Sequence, residues 1–212
     1  MEEAQSAAAY GRTNWRRFAV AVGVPTVIAG GLVLALAEGA LAANFTVSGK
    51  QFKLSADKLV GNGFTQYSGE LPTDDKENFP DGKIPAAMSG IRSADLWNLC
   101  QSVAVGPVTL RIEAGSDPAN PVHADELLIG MSTLGGDATF EEIQIGLDGS
   151  TLSQDQASSH GAPLSFGQQA KKVTINGLRQ EAYYTSAATF TLSGMSLKLH
   201  IGGSHECYYD ED

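Results

Sequence analysis

Positive charge is what this chain has least of: 14 Lys and Arg stand against 24 Asp and Glu, a net charge of −10. That balance excludes a nucleic-acid binder, because nothing here neutralises a run of phosphates. Proline is sparse at 8 residues, and cysteine is limited to two. Two cysteines cannot build a dense disulfide scaffold or a four-cysteine metal site. Charged residues reach only 18% against 42% hydrophobic, so a wholly disordered chain is excluded. What is abundant is glycine, 24 residues with no collagen-like period, which suits a turn-rich β protein. At 212 residues the chain holds one ordinary domain, with room for a targeting segment.

Motifs that carry chemistry are missing too. The nucleophile elbow G-x-S-x-G is absent, and Gly130-Met131-Ser132-Thr133-Leu134-Gly135 fails at the second glycine. None of His123, His160, His200 and His205 stands in an HExxH arrangement. His205-Glu206-Cys207 reads as a polar turn before the acidic tail Asp210-Glu211-Asp212. In the stretch Leu71 to Pro85, Asp75 and Glu77 begin a calcium-loop pattern that Phe79 breaks, so it reads as a solvated loop. The sequence therefore assigns no catalytic, cofactor-binding or metal-ligating residue and implies no cofactor. A non-enzymatic role is favoured, although catalytic triads arise on many scaffolds.

One long apolar run is present. Residues 1–17 form a basic flank ending in Arg12, Arg16 and Arg17, and Phe18 to Ala37 carries no charge. As a helix those 20 residues span roughly 30 Å, one hydrocarbon core. The arginines predict that end inside and the remainder outside. Two readings of residues 18–42 stay open. In one the segment is a retained single-span anchor, favoured by its length. In the other it is a signal peptide cut after Ala40-Leu41-Ala42, leaving Ala43 as the new N-terminus, favoured by the small-x-small site and by Pro25 and Gly30-Gly31. Either way, residues 43–212 are expected outside the cytoplasm, membrane-held or secreted. Three arginines balance three glutamates in residues 1–42, so the whole excess of acid lies on the exported part.

That part alternates apolar and polar residues with period two, as in Val108-Thr109-Leu110-Arg111-Ile112 and Met195-Ser196-Leu197-Lys198-Leu199-His200-Ile201. An all-β domain is predicted, an antiparallel sandwich or curved sheet, with a β-helix as the less favoured alternative. One short helix is expected near Ser93 to Cys100, and one hydrophobic helix before the domain. Phe45 to Leu54 and Phe190 to Leu199 share six of ten residues, and in both the alternation changes phase at Ser-Gly, as at a bulge or tight turn. They are expected to be strands of one packing layer. Ala56-Asp57-Lys58-Leu59 and Ala124-Asp125-Glu126-Leu127 share a second pattern, with Ala170-Lys171-Lys172-Val173 a looser echo.

Cys100 and Cys207, an even count in an exported domain, suggest a disulfide, the alternative being two buried thiols. In the chain-entropy model a bridge over about 100 residues contributes on the order of 4–5 kcal/mol.

Asn14-Trp15-Arg16-Arg17-Phe18, Phe52-Lys53-Leu54-Ser55-Ala56, Gly61-Asn62-Gly63-Phe64-Thr65-Gln66-Tyr67, Leu99-Cys100-Gln101-Ser102 and Gly135-Gly136-Asp137-Ala138-Thr139-Phe140 together resemble a family of exported actinobacterial proteins of unknown function. The resemblance runs over nearly the whole chain. It implies an N-terminal hydrophobic segment and no site residues; some members carry the label cholesterol esterase.

Three functions follow as expectations. The first is a non-enzymatic cell-envelope protein with a structural or partner-binding role, its partner a membrane protein or another copy. The second is an apolar-ligand carrier for a lipid or sterol, with Phe45, Phe52, Phe64, Phe140, Phe166 and Phe190 lining a cavity. The third is an esterase acting on lipid esters.

Overall fold

The computed structural model describes residues 46–155, 160–202 and 205–209. The predicted hydrophobic helix and the cleavage-site residues Ala40, Ala42 and Ala43 lie outside them. No helix among the described residues is long and apolar enough to cross a membrane. Thr46–Asp212 forms one compact unit.

The alternation seen in the sequence produces strands: β1 (Phe52–Pro72), β2 (Lys83–Trp97), β3 (Leu99–Val105), β4 (Val108–Ala114), β5 (Val122–Glu141), β6 (Gln144–Asp148), β7 (Phe166–Ser186), β8 (Thr189–Thr191) and β9 (Ser196–Ile201). The predicted all-β class holds, and every pairing between these strands is antiparallel. Of the predicted architectures the observed one is the curved sheet, carried to closure. β1 pairs β2, β2 pairs β5, β5 pairs β7, and β7 returns to β1. Four long strands thus make a ring without edges, which removes the unpaired ladder an open sheet would expose.

A ring of so few strands demands strong coiling, and a repeated sequence pattern supplies it. In Ala56-Asp57-Lys58-Leu59, Ala124-Asp125-Glu126-Leu127 and Ala170-Lys171-Lys172-Val173 the first and fourth residues are buried in the core and the middle two are not. Ile91-Arg92-Ser93-Ala94 and Ile175-Asn176-Gly177-Leu178 behave alike. Two consecutive residues outside the core break the period of two on paired strands together, with no change of register: Ile91 and Ser93 stand opposite Leu127 and Asp125, and such breaks coil the sheet. Glu126, at φ 50°, adopts the left-handed conformation at one of these places. The close approach inside the ring shows at Gly61, where a Cβ would stand 2.8 Å from Ile91 Cγ2 and 3.1 Å from Val173 Cγ1. The core is built from Leu59, Phe64, Leu96, Val122, Val173 and Leu178 among others.

The short helix expected at Ser93 to Cys100 is not formed. The segment is the end of β2 and the start of β3, interrupted only by Asn98 at φ 53°. Leu96 and Leu99, both buried on either side of the Trp97-Asn98 step, gave the spacing of three that mimicked a helical stripe. β2 and β3 hold one register against β1, with Lys58 opposite Trp97 and Lys53 opposite Ser102. Across this shared ribbon the sheet forks at Asn98. β2 takes β5 and closes the ring, while β3 takes β4 and then β9, an appended three-stranded sheet. Asn98 Nδ2 donates to Asp57 Oδ2 on β1 at 2.5 Å and holds the fork.

The two similar segments behave partly as expected. Their Ser-Gly steps both turn, with Gly49 at φ 76° and Gly194 at φ 66°. Phe45 lies outside the described residues. Leu54 and Leu197 stand in one row of the sheet, through Gln101 and Ile112. They do not share one buried layer: Leu54 is core, and Leu197 and Leu199 are exposed.

Candidate functional site

The appended sheet gathers most of the chemistry that the sequence scatters. Period-two alternation on β3, β4 and β9 sends Cys100, Ser102, Thr109, Arg111, Glu113, Lys198 and His200 to one face and the Val, Leu and Ile residues to the other. The polar face is strapped by the chain's C-terminal segment. Cys100 and Cys207 are joined, S–S 2.01 Å and Cα–Cα 5.7 Å, as expected. Cys207 N donates to Ser102 Oγ at 3.0 Å, and Arg111 Nη1 donates to the Glu206 carbonyl at 3.5 Å. The His200 and His205 rings stack at 4.2 Å. Tyr208 lies between two cations, Lys53 Nζ at 5.2 Å and Arg179 at 5.6 Å from its ring centre.

Beside this strap opens a cleft of about 450 Å³, whose lining includes Asn98, Arg111, Glu113, Ser196, Lys198 and Cys207. Arg111 Nη2 donates to Glu113 Oε1 at 2.7 Å, and Lys198 Nζ stands 3.6 Å from Glu113 Oε2. The Arg111 hydrogen bond holds the Glu113 carboxyl below its ordinary range. Two cations against one carboxylate leave a net positive rim on an acidic protein, suited to polar or anionic groups of a partner.

A second constellation lies on the outside of the barrel. His123 on β5 stands opposite Asp95 on β2. Its Nδ1 is 2.7 Å from Asp95 Oδ1 and its Nε2 is 3.2 Å from Asp125 Oδ1. The Asp95 hydrogen bond, with Asp125 adding to it, raises the His123 pKa above its ordinary value. With one ring nitrogen against Asp95 and the other against Asp125, His123 cross-links β2 and β5. Sequence reasoning missed it. His123-Ala124-Asp125 shows two polar residues on one strand face, but Asp95 arrives from another strand.

The remaining expectations divide. Ser132, in the near-miss elbow, sits within β5 and accepts from Gln51 Nε2 at 2.6 Å, so it is on no strained turn. Phe64 is buried and meets Phe140 at 5.4 Å, with Phe52 packed on the same core. Phe166 and Phe190 point outward, and Phe45 lies outside the described residues, so the six do not line one chamber. The loop expected over Leu71 to Pro85 is shorter: Leu71 and Pro72 end β1 and Lys83 to Pro85 begin β2, with Leu71 and Ile84 buried, so only residues 73–82 close the hairpin. Asp75 there accepts from Asn78 N at 3.2 Å, and those bonds lower its pKa. Among the described residues no group of three or more His, Cys, Asp or Glu is placed to hold a metal ion.

A separate cleft of about 520 Å³ includes Tyr67, Pro85, Ala87, Met131 and Phe166 in its lining, with Met131 also a core residue. No curated protein and no solved structure matches this chain. Residues 48–208, the closed ring together with its strapped sheet, match a single family along their length, and the chain belongs to the family of unknown function DUF6230.

Proposed function

We propose that the protein is a non-enzymatic component of the cell envelope, exported with its β domain outside the membrane, whose appended sheet is a partner-binding element. The observation that carries this reading is the asymmetry of that sheet: its polar face is strapped by a disulfide-linked tail, while its apolar face is open among the described residues. A disulfide persists in an oxidising compartment, which supports export. The uncharged run behind an arginine flank supports delivery to or through a membrane. A rigid scaffold presenting one unfilled apolar face is how binding modules are built.

The test is made on intact cells. Thiol alkylation with non-reducing mass mapping should find Cys100 and Cys207 protected, and external protease should reach the β domain. Cross-linking should then recover the protein with a second polypeptide. Free thiols in a protease-shielded protein would end the reading, and monomer alone after cross-linking would end the binding role.

The cleft of about 520 Å³ favours a second reading, an apolar-ligand carrier. Its volume falls within the few hundred Å³ typical of small-molecule sites, and Tyr67, Met131 and Phe166 give it an apolar wall. Mass spectrometry of lipids extracted from the purified protein decides it, and an empty extract ends it.

A further inference from the structure

The inward face of the ring does not stop at the ring. Leu54, Leu99 and Ala114 are core residues, and the face they share continues onto the appended sheet. There it runs through Leu110 and Ile112 on β4 and Leu197, Leu199 and Ile201 on β9, with Val105 near the tip. Gln101 is the one polar side chain in this array, and no charged residue belongs to it. Val105, Leu197, Leu199 and Ile201 are 59%, 54%, 61% and 79% exposed. The charged groups Arg111, Glu113 and Lys198 all lie on the opposite face, under or beside the strap. Among the described residues, nothing covers this part of the hydrophobic face.

We infer that its cover is a second copy of this chain, packed face to face on β3, β4 and β9. The inference rests on the reading of the appended sheet as a binding element and names its partner. Size is the main argument. At these exposures the face presents roughly 600 Å² of apolar surface, the upper end of what a monomer leaves open. Two such faces bury about 1,200 Å² in all, the lower limit of stable interfaces. Shape agrees, because two sheets of branched aliphatic residues pack about 10 Å apart as the halves of a sandwich. A two-fold axis through the middle of the face brings aliphatic against aliphatic and no charge against charge. A bilayer is the less suitable cover for a domain carrying the whole acidic excess of the chain, since anionic headgroups repel it.

The Thr46–Asp212 fragment contains the whole core and both cysteines, so it is the right material once oxidised. Sedimentation equilibrium should find a dimer at tens of micromolar, tightening as salt screens the acidic surfaces from one another. Leu199→Glu and Leu110→Glu should each weaken association by at least a hundredfold with circular dichroism unchanged. Lys198→Gln, on the strapped face, should leave it intact. Leu110 is decisive because β4 is paired on both sides and cannot join an edge-to-edge contact. A wild-type monomer at 200 µM would overturn the inference, as would a dimer that survives Leu110→Glu. A monomer that floats with phosphatidylcholine vesicles would overturn it in favour of lipid. A different protein cross-linked on cells, beside a monomeric fragment, would sink the dimer and spare the binding role. A dimeric fragment whose thiols are free in cells would spare the dimer and sink the exported setting.

Discussion

The ring and the appended sheet are made from the same ribbon of chain and held by opposite means. In the ring, β1, β2, β5 and β7 each find a partner on both sides, and the inward residues fill one another's space. The appended sheet ends at β9, whose outer edge has no strand beside it among the described residues. Its aliphatic side chains gain little burial in the single chain. Closure stabilises the first region through packing. The second is held by a covalent strap that removes freedom from the unfolded chain. The difference locates function: a ring that is complete in itself serves as a scaffold, and the incomplete sheet is the part with something left to bind.

The largest effect expected from breaking that comparison is in the ring. Phe64 is 2% exposed and packs against Phe140, so Phe64→Ala removes transfer energy and leaves a cavity. A loss of about 3–5 kcal/mol is expected in urea unfolding. Leu199→Ala, studied at concentrations too low for association, should cost less than about 0.5 kcal/mol. Equal losses at the two sites would erase the distinction.

Next comes the strap. Cys100→Ser with Cys207→Ser removes a bridge of sequence separation 107 and should cost about 2–5 kcal/mol, the chain-entropy figure being its upper end. Its location sharpens the comparison more than its size. Hydrogen exchange should rise in β9 and residues 205–209 and stay slow in β5 and β7, because no covalent link crosses the ring. Uniform loss of protection would mean that the two regions unfold as one.

The fold was legible in the sequence as far as local chemistry carries it. Alternation marked the strands, and the Ser-Gly steps at Gly49 and Gly194 marked turns, because period two and positive φ are local properties. The Ala-x-x-apolar repeats were visible, but their meaning as matched breaks in the alternation depends on closure, which depends in turn on β7 returning to β1 from about a hundred residues away. Ser93 to Cys100 read as a helix because Leu96 and Leu99 are inward at a spacing of three, which a strand turned at Asn98 shares with a helix. Of the site, Cys100 and Cys207 were legible because two cysteines allow one pairing. The clasp on His123 and the open face of β9 were not, because cross-strand register decides what faces what.

The fork itself offers a smaller effect. Asn98, at φ 53°, hydrogen-bonds Asp57 where β2 becomes β3. Asn98→Ala forfeits that bond and places a Cβ residue with no polar compensation in the left-handed region, at a cost of about 1–2 kcal/mol. Asn98→Gly should recover part of it by relieving the backbone alone. If Gly were no better than Ala, the backbone would not be the hinge between the two regions.

The smallest effect concerns the ring's outer surface, where charge rather than packing acts. The Asp95 and Asp125 carboxylates raise the pKa of His123 in the folded protein above its ordinary 6.5. The folded state therefore binds that proton more tightly than the unfolded chain does. The stabilisation is complete below pH 6.5 and is lost as pH rises through the higher folded value. His123 is 44% exposed, so solvent screens the clasp and the change in Tm should be no more than about 2 °C. His123→Asn should flatten the melting temperature across this interval. It should leave untouched the loss on the acid side, where Glu113, lowered by Arg111 on the appended sheet, is protonated as pH falls below 4.5. The limb above pH 6.5 then belongs to the ring, whereas the acid limb is shared by Glu113 on the strapped sheet with Asp75 on the β1–β2 hairpin and Asp148 at the end of β6. A slope above pH 6.5 that persists in His123→Asn would assign it to some other group and break that correspondence.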